Sequence, residues 1–286
     1  MFRYNNKKGG YLVKKLKLML VTFIEVIIVG GFLYSQNKWI FTEQITIHSS
    51  QLQQNFNEFK IVHLSDLHGQ SFGKNQHHLV TKINTFKPDI IAITGDLFDS
   101  SYDDEVSFTL IEQLKHYPIY FVTGNHEAWI NHYNKLEQRL LELGVHILRN
   151  ESISLEINNQ TIALIGIDDP EFGVSVDNNL TKTLKTTATD SYKILLSHRP
   201  EAFETYVTSG VNLVLSGHAH GGQFRFPFIG GLVAPDQGFF PEFEEGIHTK
   251  NQTTMIISRG LGNSIIPQRL FNRPHLIEIT LKADAK

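Results

Sequence analysis

The chain has 286 residues, of which 41% are hydrophobic and 19% are charged, and its formal net charge is −3. This composition supports a sizeable core and excludes a largely disordered chain, and so small a charge gives no reason to expect a nucleic acid partner. Cysteine is absent, which excludes disulfides, thiolate metal ligands and a cysteine nucleophile. Any metal site must therefore use imidazole nitrogen and carboxylate or amide oxygen.

The N-terminal stretch is first basic and then apolar. Residues 1–17 carry six lysine or arginine residues before any acidic residue appears, and residues 18–34 are apolar except for Thr22 and Glu25. As a helix this run would span about 26 Å, and Lys17 and Trp39 flank it closely enough to reach the two faces of a hydrocarbon core of about 30 Å. A mid-helix acid costs about 2.5 to 3.5 kcal/mol on insertion scales, which the apolar residues of the run offset.

We therefore interpret residues 1–17 as a cytoplasmic basic tail and residues 18–35 as a single transmembrane signal anchor. The positive-inside rule then places the rest of the chain outside the cell membrane. Two alternatives remain: a cleaved secretory signal, although no clear small-x-small cleavage site follows, and a buried helix of a soluble protein.

Residues 36–57 are polar and rich in Gln and Asn, with one short alternating run from Ile40 to Ile47. We interpret this segment as a linker that contributes an edge strand, and residues 58–286 as one catalytic domain.

From Phe59 onward, short apolar runs alternate with amphipathic segments, as in strands crossed over by helices. The pattern predicts strands at 60–66, 89–96 and 119–125, and helices at 75–86, 103–116 and 131–143. Each strand ends in polar side chains, which is where open α/β sheets bind their ligands.

The second half is richer in strands. Asn158, Asn159 and Gln160 separate two strand-like runs and predict a hairpin, and the runs 192–198 and 212–218 each end in a histidine. Two late strands are expected at 253–260 and 275–281. Two β-rich halves with helices outside indicate a two-sheet α/β sandwich whose strand order the pattern leaves open.

The strand ends carry side chains suited to metals. Asp66 and His68 stand two residues apart, so both project to the same side of the chain, and His218 and His220 repeat that spacing. Together with the polar residues that close three further strands, the candidate metal ligands are Asp66, His68, Asp96, Asn125, His198, His218 and His220. Seven ligands are too many for one small transition metal and suit two, with a carboxylate such as that of Asp96 bridging them.

Five motifs in this order resemble those of the calcineurin-like metallophosphoesterases. They are HLSDLH (63–68), GDLFD (95–99), GNHE (124–127), SHRP (197–200) and GHAH (217–220), and the resemblance covers roughly residues 58–286. The alanine of GHAH replaces a frequent threonine but lies between the ligands. The resemblance implies a two-sheet αββα sandwich.

Within that superfamily the chain most resembles a bacterial membrane-associated or exported branch, because an apolar segment precedes LSDLH and an SRGLG segment (258–262) lies near the end. This branch includes enzymes similar to pyrophosphate hydrolases acting on UDP-diacylglucosamine and to cell-wall-associated phosphatases.

The resemblance also assigns the ions. It implies one divalent metal held by Asp66, His68 and His220, a second held by Asn125, His198 and His218, and a bridge through Asp96. Mn is the expected metal, with Fe or Zn as alternatives.

The resemblance places His126 beside the substrate, where it would stabilise the developing charge and protonate the leaving oxygen. Asp99 resembles the carboxylate that orients this histidine in some members, although a solvated turn aspartate is the alternative. Attack by a hydroxide shared between the two metals would require no covalent enzyme intermediate.

We expect hydrolysis of a phosphodiester or pyrophosphate bond, with the membrane and a phosphorylated lipid-linked or cell-envelope substrate as partners. The alternatives are a phosphomonoesterase acting on small soluble substrates and a non-catalytic metal-bearing module that binds cell-wall polymer.

An aromatic and apolar stretch at 221–243 follows the last ligand. It is either a hairpin packed on the core or an apolar lip near the metals that admits a lipid tail. Arg259, Arg269 and Arg273 are candidates for phosphate contacts, because a guanidinium group matches phosphate in a bidentate fork.

Overall fold

A computed structural model describes residues 4–101, 103–188, 191–263 and 266–284, with side chains from residue 10 onward. The helices are α1 (Tyr4–Lys38), α2 (His77–Phe86), α3 (Asp104–Leu114), α4 (Asn125–Trp129), α5 (Tyr133–Glu142), α6 (Val176–Leu184) and α7 (Phe203–Ser209). The strands of the first half are β1 (Phe41–Ser49), β2 (Phe59–Leu64), β3 (Ile90–Thr94), β4 (Ile119–Val122), β5 (His146–Ile147), β6 (Glu151–Ile157) and β7 (Gln160–Gly166). Those of the second half are β8 (Tyr192–Leu196), β9 (Leu213–Ser216), β10 (Arg225–Phe226), β11 (Gly230–Gly231), β12 (Val233–Ala234), β13 (Gly238–Phe239), β14 (Gly246–Lys250), β15 (Thr253–Ile257) and β16 (His275–Ala283).

Two mixed sheets of six strands form the centre of the fold. The first has the order β1-β16-β2-β3-β4-β5 and the second β14-β15-β9-β8-β7-β6. Strands β2 to β5 run parallel in the first sheet, and β15, β9, β8 and β7 run parallel in the second. The hairpin predicted around Asn158 and Asn159 joins β6 and β7.

The sheets pack face to face, and helices cover their outer faces. One buried cluster combines residues of both sheets, such as Ile61 and Ile277 from the first and Ile194 and Leu215 from the second. A second cluster joins α2, α3 and α5 to the first sheet, and a third joins α6 and α7 to the second. These four layers confirm the predicted α/β sandwich. Strand β3 is buried along its whole length, as expected for a parallel strand covered on both faces.

The segment predicted as a linker, residues 36–57, contains a full edge strand. Strand β1 pairs in parallel with β16 over nine residues, from Phe41 opposite His275 to Ser49 opposite Ala283. The long parallel crossover needed to reach β16 explains why the sequence pattern alone could not show the partner of this strand.

Helix α1 is longer than the predicted anchor at 18–35. Its segment Gly10–Lys38 includes an 18-residue stretch that has a mean hydropathy of 2.2 and is not buried against the domain. At 1.5 Å per residue this segment is about 43 Å long, enough by length and composition to cross a membrane. A signal sequence near an N-terminus has the same features.

Candidate metal centre

The seven predicted ligands converge on one place where the two sheets meet. Asp66 and His68 follow β2, Asp96 follows β3, Asn125 opens α4 after β4, His198 follows β8, and His218 and His220 follow β9. All seven are buried. Because these strands run parallel within their sheets, their carboxyl ends present the side chains to the same edge of the sandwich.

The backbone is strained at this edge. Five of the seven residues have a positive φ, between 46° and 65°: Asp66, His68, Asp96, His218 and His220. A left-handed conformation costs a residue that is not glycine on the order of 1 to 3 kcal/mol, and it persists where the surroundings or the function impose it. The strain therefore marks the three turns that carry these residues as a candidate functional site.

One group of ligand atoms lies around Asp66. Its Oδ1 atom is 3.3 Å from His220 Nε2, and His220 Nε2 is 3.2 Å from His68 Nε2. His68 Nε2 is in turn 3.6 Å from Asp96 Oδ2. One ligand atom from each of these four residues lies within 4.8 Å of the others, a spacing that suits a single ion.

A second group lies around His198. Its Nε2 atom is 3.3 Å from Asp96 Oδ2, 3.2 Å from His218 Nδ1 and 3.2 Å from Asn125 Oδ1. Asp96 Oδ2 thus contacts both groups, which places this carboxylate between two ion positions.

The atoms around His198 Nε2 favour a positive charge at that point. His198 Nδ1 lies 2.7 Å from the carbonyl oxygen of Thr94, to which it donates, so in the neutral ring Nε2 carries a lone pair. That lone pair faces a carboxylate oxygen and an amide oxygen. Burial lowers the pKa of His198, but the charge of Asp96 and its hydrogen bond to His198 outweigh burial and raise the pKa to about 10. Converging imidazole and oxygen lone pairs are the donor set of a divalent transition metal, so the residues fit the ions.

Sequence reasoning missed Glu127, which organises the turn that carries Asp96. Its Oε2 atom accepts hydrogen bonds from the backbone N–H groups of Asp96 (2.9 Å) and Gly124 (2.7 Å). Its Oε1 atom accepts from the N–H groups of Leu97 (2.9 Å) and Phe98 (3.1 Å). The last residue of GNHE therefore fixes the backbone on both sides of the Asp96 side chain.

His126 and Asp99 lie together, as the sequence analysis expects. His126 Nδ1 is 3.0 Å from Asp99 Oδ2, and the same oxygen is 3.2 Å from His68 Nδ1. Burial lowers the pKa of His126. The hydrogen bond to Asp99 and the charge of Asp96 raise it by more, so the pKa of His126 lies above its ordinary value. Since Nδ1 is engaged by Asp99, Nε2 is the nitrogen left to face a substrate.

A partly buried ion-pair network behind His218 was also missed. Arg199 pairs with Asp169 through Nε (2.6 Å) and Nη2 (2.9 Å), and its Nη1 atom lies 3.0 Å from His218 Nε2 and pairs with Asp236. Asp236 Oδ2 is 2.9 Å from His218 Nε2. A carboxylate on one ring nitrogen orients a ligating histidine and fixes its tautomer, which leaves Nδ1 of His218 toward the second ligand group. Arg199 lies in the SHRP motif, and this position was the one sequence feature that could have indicated the network.

A cavity of about 200 Å³ opens beside the ligands. Its walls include Asp96, Asn125, His126, His218, His220, Trp129, Glu171, Arg199, Pro235 and Asp236. The three arginines proposed for phosphate contacts lie elsewhere: Arg259 pairs with Glu245 at 2.7 Å, Arg273 lies over the ring of Phe41, and Arg269 is buried 3.3 Å behind His220 Nδ1. Arg199 is the one arginine among the described residues that line the cavity.

Comparison with known proteins identifies relatives. A family model described as calcineurin-like phosphoesterase matches residues 59–222. The chain is 30% identical over 264 residues to the uncharacterized metallophosphoesterase YkuE of Bacillus subtilis, a match that covers 89% of this chain and 91% of that protein. It is 31% identical over 288 residues to a bovine (Bos taurus) transmembrane protein with metallophosphoesterase domain, over 94% of this chain and 62% of that longer protein.

Among solved structures, a dimetal phosphatase from Danio rerio matches 78% of this chain and 99% of its own chain, with a TM-score of 0.44 and 13% identity.

Proposed function

This chain belongs to the calcineurin-like phosphoesterase family, and from that premise we propose that it hydrolyses a phosphodiester or pyrophosphate bond in a lipid-linked or cell-envelope substrate at a membrane. It is a metallophosphoesterase whose dimetal-site residues are intact and buried. The observation that carries the proposal is the pair of ligand groups that share Asp96 beside an accessible cavity.

The distances support an assignment of ligands to two ions. Asp66, His68 and His220 would hold one, Asn125, His198 and His218 the other, and Asp96 both. Two divalent ions would supply Lewis acidity toward the phosphoryl oxygens and lower the pKa of a water molecule. The donor set of nitrogen and oxygen without sulfur favours Mn, with Fe or Zn as alternatives.

The remaining chemistry belongs to the side chains that line the cavity. His126 has a raised pKa and a free Nε2, so it can hold a proton at neutral pH and give it to the leaving oxygen. Asp99 orients the ring through Nδ1. Arg199 lies on the cavity wall, where its guanidinium group can attract a phosphate group, although Asp169 binds its Nε and Nη2 atoms and Asp236 pairs with its Nη1 atom.

Helix α1 supports the placement at a membrane. Its segment Gly10–Lys38 contains an exposed apolar stretch of 18 residues, and a bovine relative is described as a transmembrane protein. The basic residues within 1–17 favour a cytoplasmic N-terminus and an extracytoplasmic domain.

The experiment that tests the function compares two substrates on the full-length chain, purified in detergent and supplied with Mn²⁺. We expect bis-p-nitrophenyl phosphate to be hydrolysed faster than p-nitrophenyl phosphate. A preference for the monoester would favour a phosphomonoesterase.

The variant His126→Ala should lower kcat for the diester by about 10²- to 10⁴-fold, the usual contribution of a general acid. The exposed His116→Ala is the matched control and should leave kcat unchanged. A wild-type chain that retains its metals and hydrolyses neither substrate, with no change in His126→Ala, would contradict an enzymatic role.

A further inference from the structure

The segment after the last ligand forms a lip with an exposed apolar edge. Residues 223–245 contain two short hairpins, β10 with β11 and β12 with β13. Five large apolar side chains on it are exposed, and we call them the rim: Phe226 (39%), Phe228 (fully exposed), Ile229 (65%), Phe239 (74%) and Phe240 (65%). A concentration of large exposed apolar side chains on one short segment marks a candidate interaction site.

One side of the lip borders the metal centre. Pro235 and Asp236, which follow β12, line the cavity beside the ligands. Phe239 and Phe240 come three and four residues after Asp236, so the hairpin of β12 and β13 carries both a cavity wall and two of the five rim residues. Whatever covers the rim therefore lies next to the entrance of the cavity.

The other side of the lip is bonded to the segment 266–272. The N–H of Arg225 donates to the carbonyl oxygen of Leu270 at 2.9 Å. The side-chain amide of Gln223 donates to the carbonyl oxygens of Ile266 and Gln268, both at 2.9 Å. The lip is thus fixed along one edge to this segment.

The C-terminal end of α1 docks on that same segment. Asn37 donates to the carbonyl oxygen of Pro267 at 2.9 Å and accepts from the N–H of Arg269 at 2.9 Å. The rings of Phe32 and Phe271 lie 5.3 Å apart, and Phe271 is half exposed. Exposed apolar surface therefore continues from the helix over Phe271 and Ile266 toward the rim.

Three of the four carboxylates of the lip are paired with arginines, and the exposed Glu242 is the fourth. Arg225 Nη1 lies 3.1 Å from Glu244 Oε1, and the same guanidinium group also pairs with Glu245. Asp236 pairs with Arg199 and faces His218. These pairs remove much of the electrostatic cost of bringing the lip toward an apolar phase.

We propose that the rim is a membrane contact: it rests in the surface of the same bilayer that α1 crosses. The continuity between α1, the segment 266–272 and the lip selects this occupant, because the end of α1 that leaves the bilayer is the end bonded to the segment that holds the lip, and this keeps the rim beside the bilayer surface. A phosphate linked to a lipid would then meet the cavity with its acyl chains still in the membrane. The inference rests on the proposed placement of α1 in a membrane, and its test does not depend on hydrolysis.

The chain contains no cysteine, so single cysteines can be introduced and labelled with a nitroxide. Phe228→Cys and Phe240→Cys report on the rim. Val26→Cys on α1 and Leu141→Cys, an exposed apolar position on α5, are the references. The full-length chain in phospholipid nanodiscs is measured by power saturation with oxygen, which partitions into lipid, and with a water-soluble nickel chelate.

For each label we compare the accessibility to the nickel chelate with the accessibility to oxygen. We expect this ratio to be at least severalfold lower for the labels at 228, 240 and 26 than for the label at 141. Labels at 228 and 240 that are as accessible to nickel as the label at 141, while the label at 26 lies in lipid, would overturn the rim contact and leave the anchor intact. Nickel access at 26 as well would overturn both.

Dipolar broadening of the label at 228 would show that a second copy of the chain covers the rim, and would also overturn the proposal. Thermal unfolding within a few degrees of the unlabelled chain establishes that each labelled chain is folded. Labels at Phe226 and Phe239 replace any that fail this criterion, and they carry the same expectation.

Discussion

The metal cluster and the lip are neighbours built on opposite principles. The ligands of the cluster are buried, lie at the ends of regular strands of both sheets, and sit on strained turns. The lip has strands of only two residues and is hydrogen-bonded along one edge to the segment 266–272. Its large apolar side chains are exposed. The difference separates two tasks: the two sheets together fix the positions of the reacting groups, and an irregular segment beside them decides what can approach.

The contrast has a physical basis. Precise placement of ligands requires side chains whose rotamers are held by packing and hydrogen bonds, and buried strand ends supply both. A surface that meets a fluid or variable partner needs exposed apolar area more than fixed geometry, and short hairpins supply it. Four substitutions test how sharply the two regions divide these tasks.

The largest effect should come from Asp96→Asn. Asp96 Oδ2 contacts both ligand groups, so replacing one carboxylate oxygen by an amide nitrogen weakens both ion positions at once. We expect a loss of several kcal/mol of transition-state stabilisation, or about a thousandfold or more in kcat/KM. Diester hydrolysis and metal analysis check this outcome.

The exposed Asp177→Asn is the matched control for that substitution and should behave as wild type. Retention of both metals and of full activity in Asp96→Asn would remove Asp96 from the bridging position.

The next effect tests how closely the turns of the cluster approach one another. A Cβ atom at Gly217 would lie 1.8 Å from Ser65 Oγ and 2.4 Å from Asp66 Oδ2, so Gly217→Ala must displace Asp66. We expect lower affinity for one of the two metals, measured by titration of the metal-free chain, and a lower rate. Gly30→Ala, where nothing lies within 4 Å, is the control. Unchanged metal affinity would show that the two turns can separate without cost.

Asp236 tests the link between the regions, since it lies on the lip and faces a ligand. Asp236→Asn keeps the shape of the side chain but removes the charge beside His218 Nε2 and Arg199. Loss of an outer partner of a metal-ligating histidine typically costs about 10- to 100-fold in metal affinity or activity. Metal titration and diester kinetics measure the effect, and a change of less than about twofold would mean that the lip does not support the cluster.

The smallest effect concerns the pH dependence of stability. It involves His63, a buried histidine in β2, the strand that leads to Asp66; the lip, residues 223–245, contains no histidine in its sequence. Burial, with a smaller effect from His275, lowers the pKa of His63 to about 3. Its folded-state pKa lies below that of the unfolded chain, about 6.5. The neutral ring thus stabilises the fold above about pH 6.5, and this stability is lost as the pH falls toward 3.

In His63→Gln the free energy of unfolding should therefore decrease less steeply as the pH falls. The slope should differ from that of wild type by up to about 1.4 kcal/mol per pH unit, which corresponds to one proton taken up on unfolding. Urea unfolding between pH 4 and 7 measures the slope, and the exposed His116→Gln should leave it unchanged. Equal slopes in wild type and His63→Gln would show that His63 becomes protonated without unfolding.

The sequence by itself determined the kind of fold and predicted the candidate ligands that the fold brings together. Apolar runs that end in Asp66, Asp96, His198 and His218 predicted strand ends, because burial on both faces leaves a continuous apolar pattern that one sequence can show. Composition and charge order likewise predicted the apolar N-terminal helix, although α1 extends further in both directions than residues 18–35.

Only the tertiary structure decided which residues support the ligands and where the lip lies. Glu127 acts through backbone N–H groups 29 to 31 residues away, and Asp236 meets Arg199 and His218 across the fold. The pairing of β1 with β16 joins the two ends of the domain, and the contact of Asn37 with Arg269 brings α1 to the segment that holds the lip. Local sequence patterns report burial and periodicity, whereas these contacts depend on how distant segments pack, and that arrangement exists only in the folded chain.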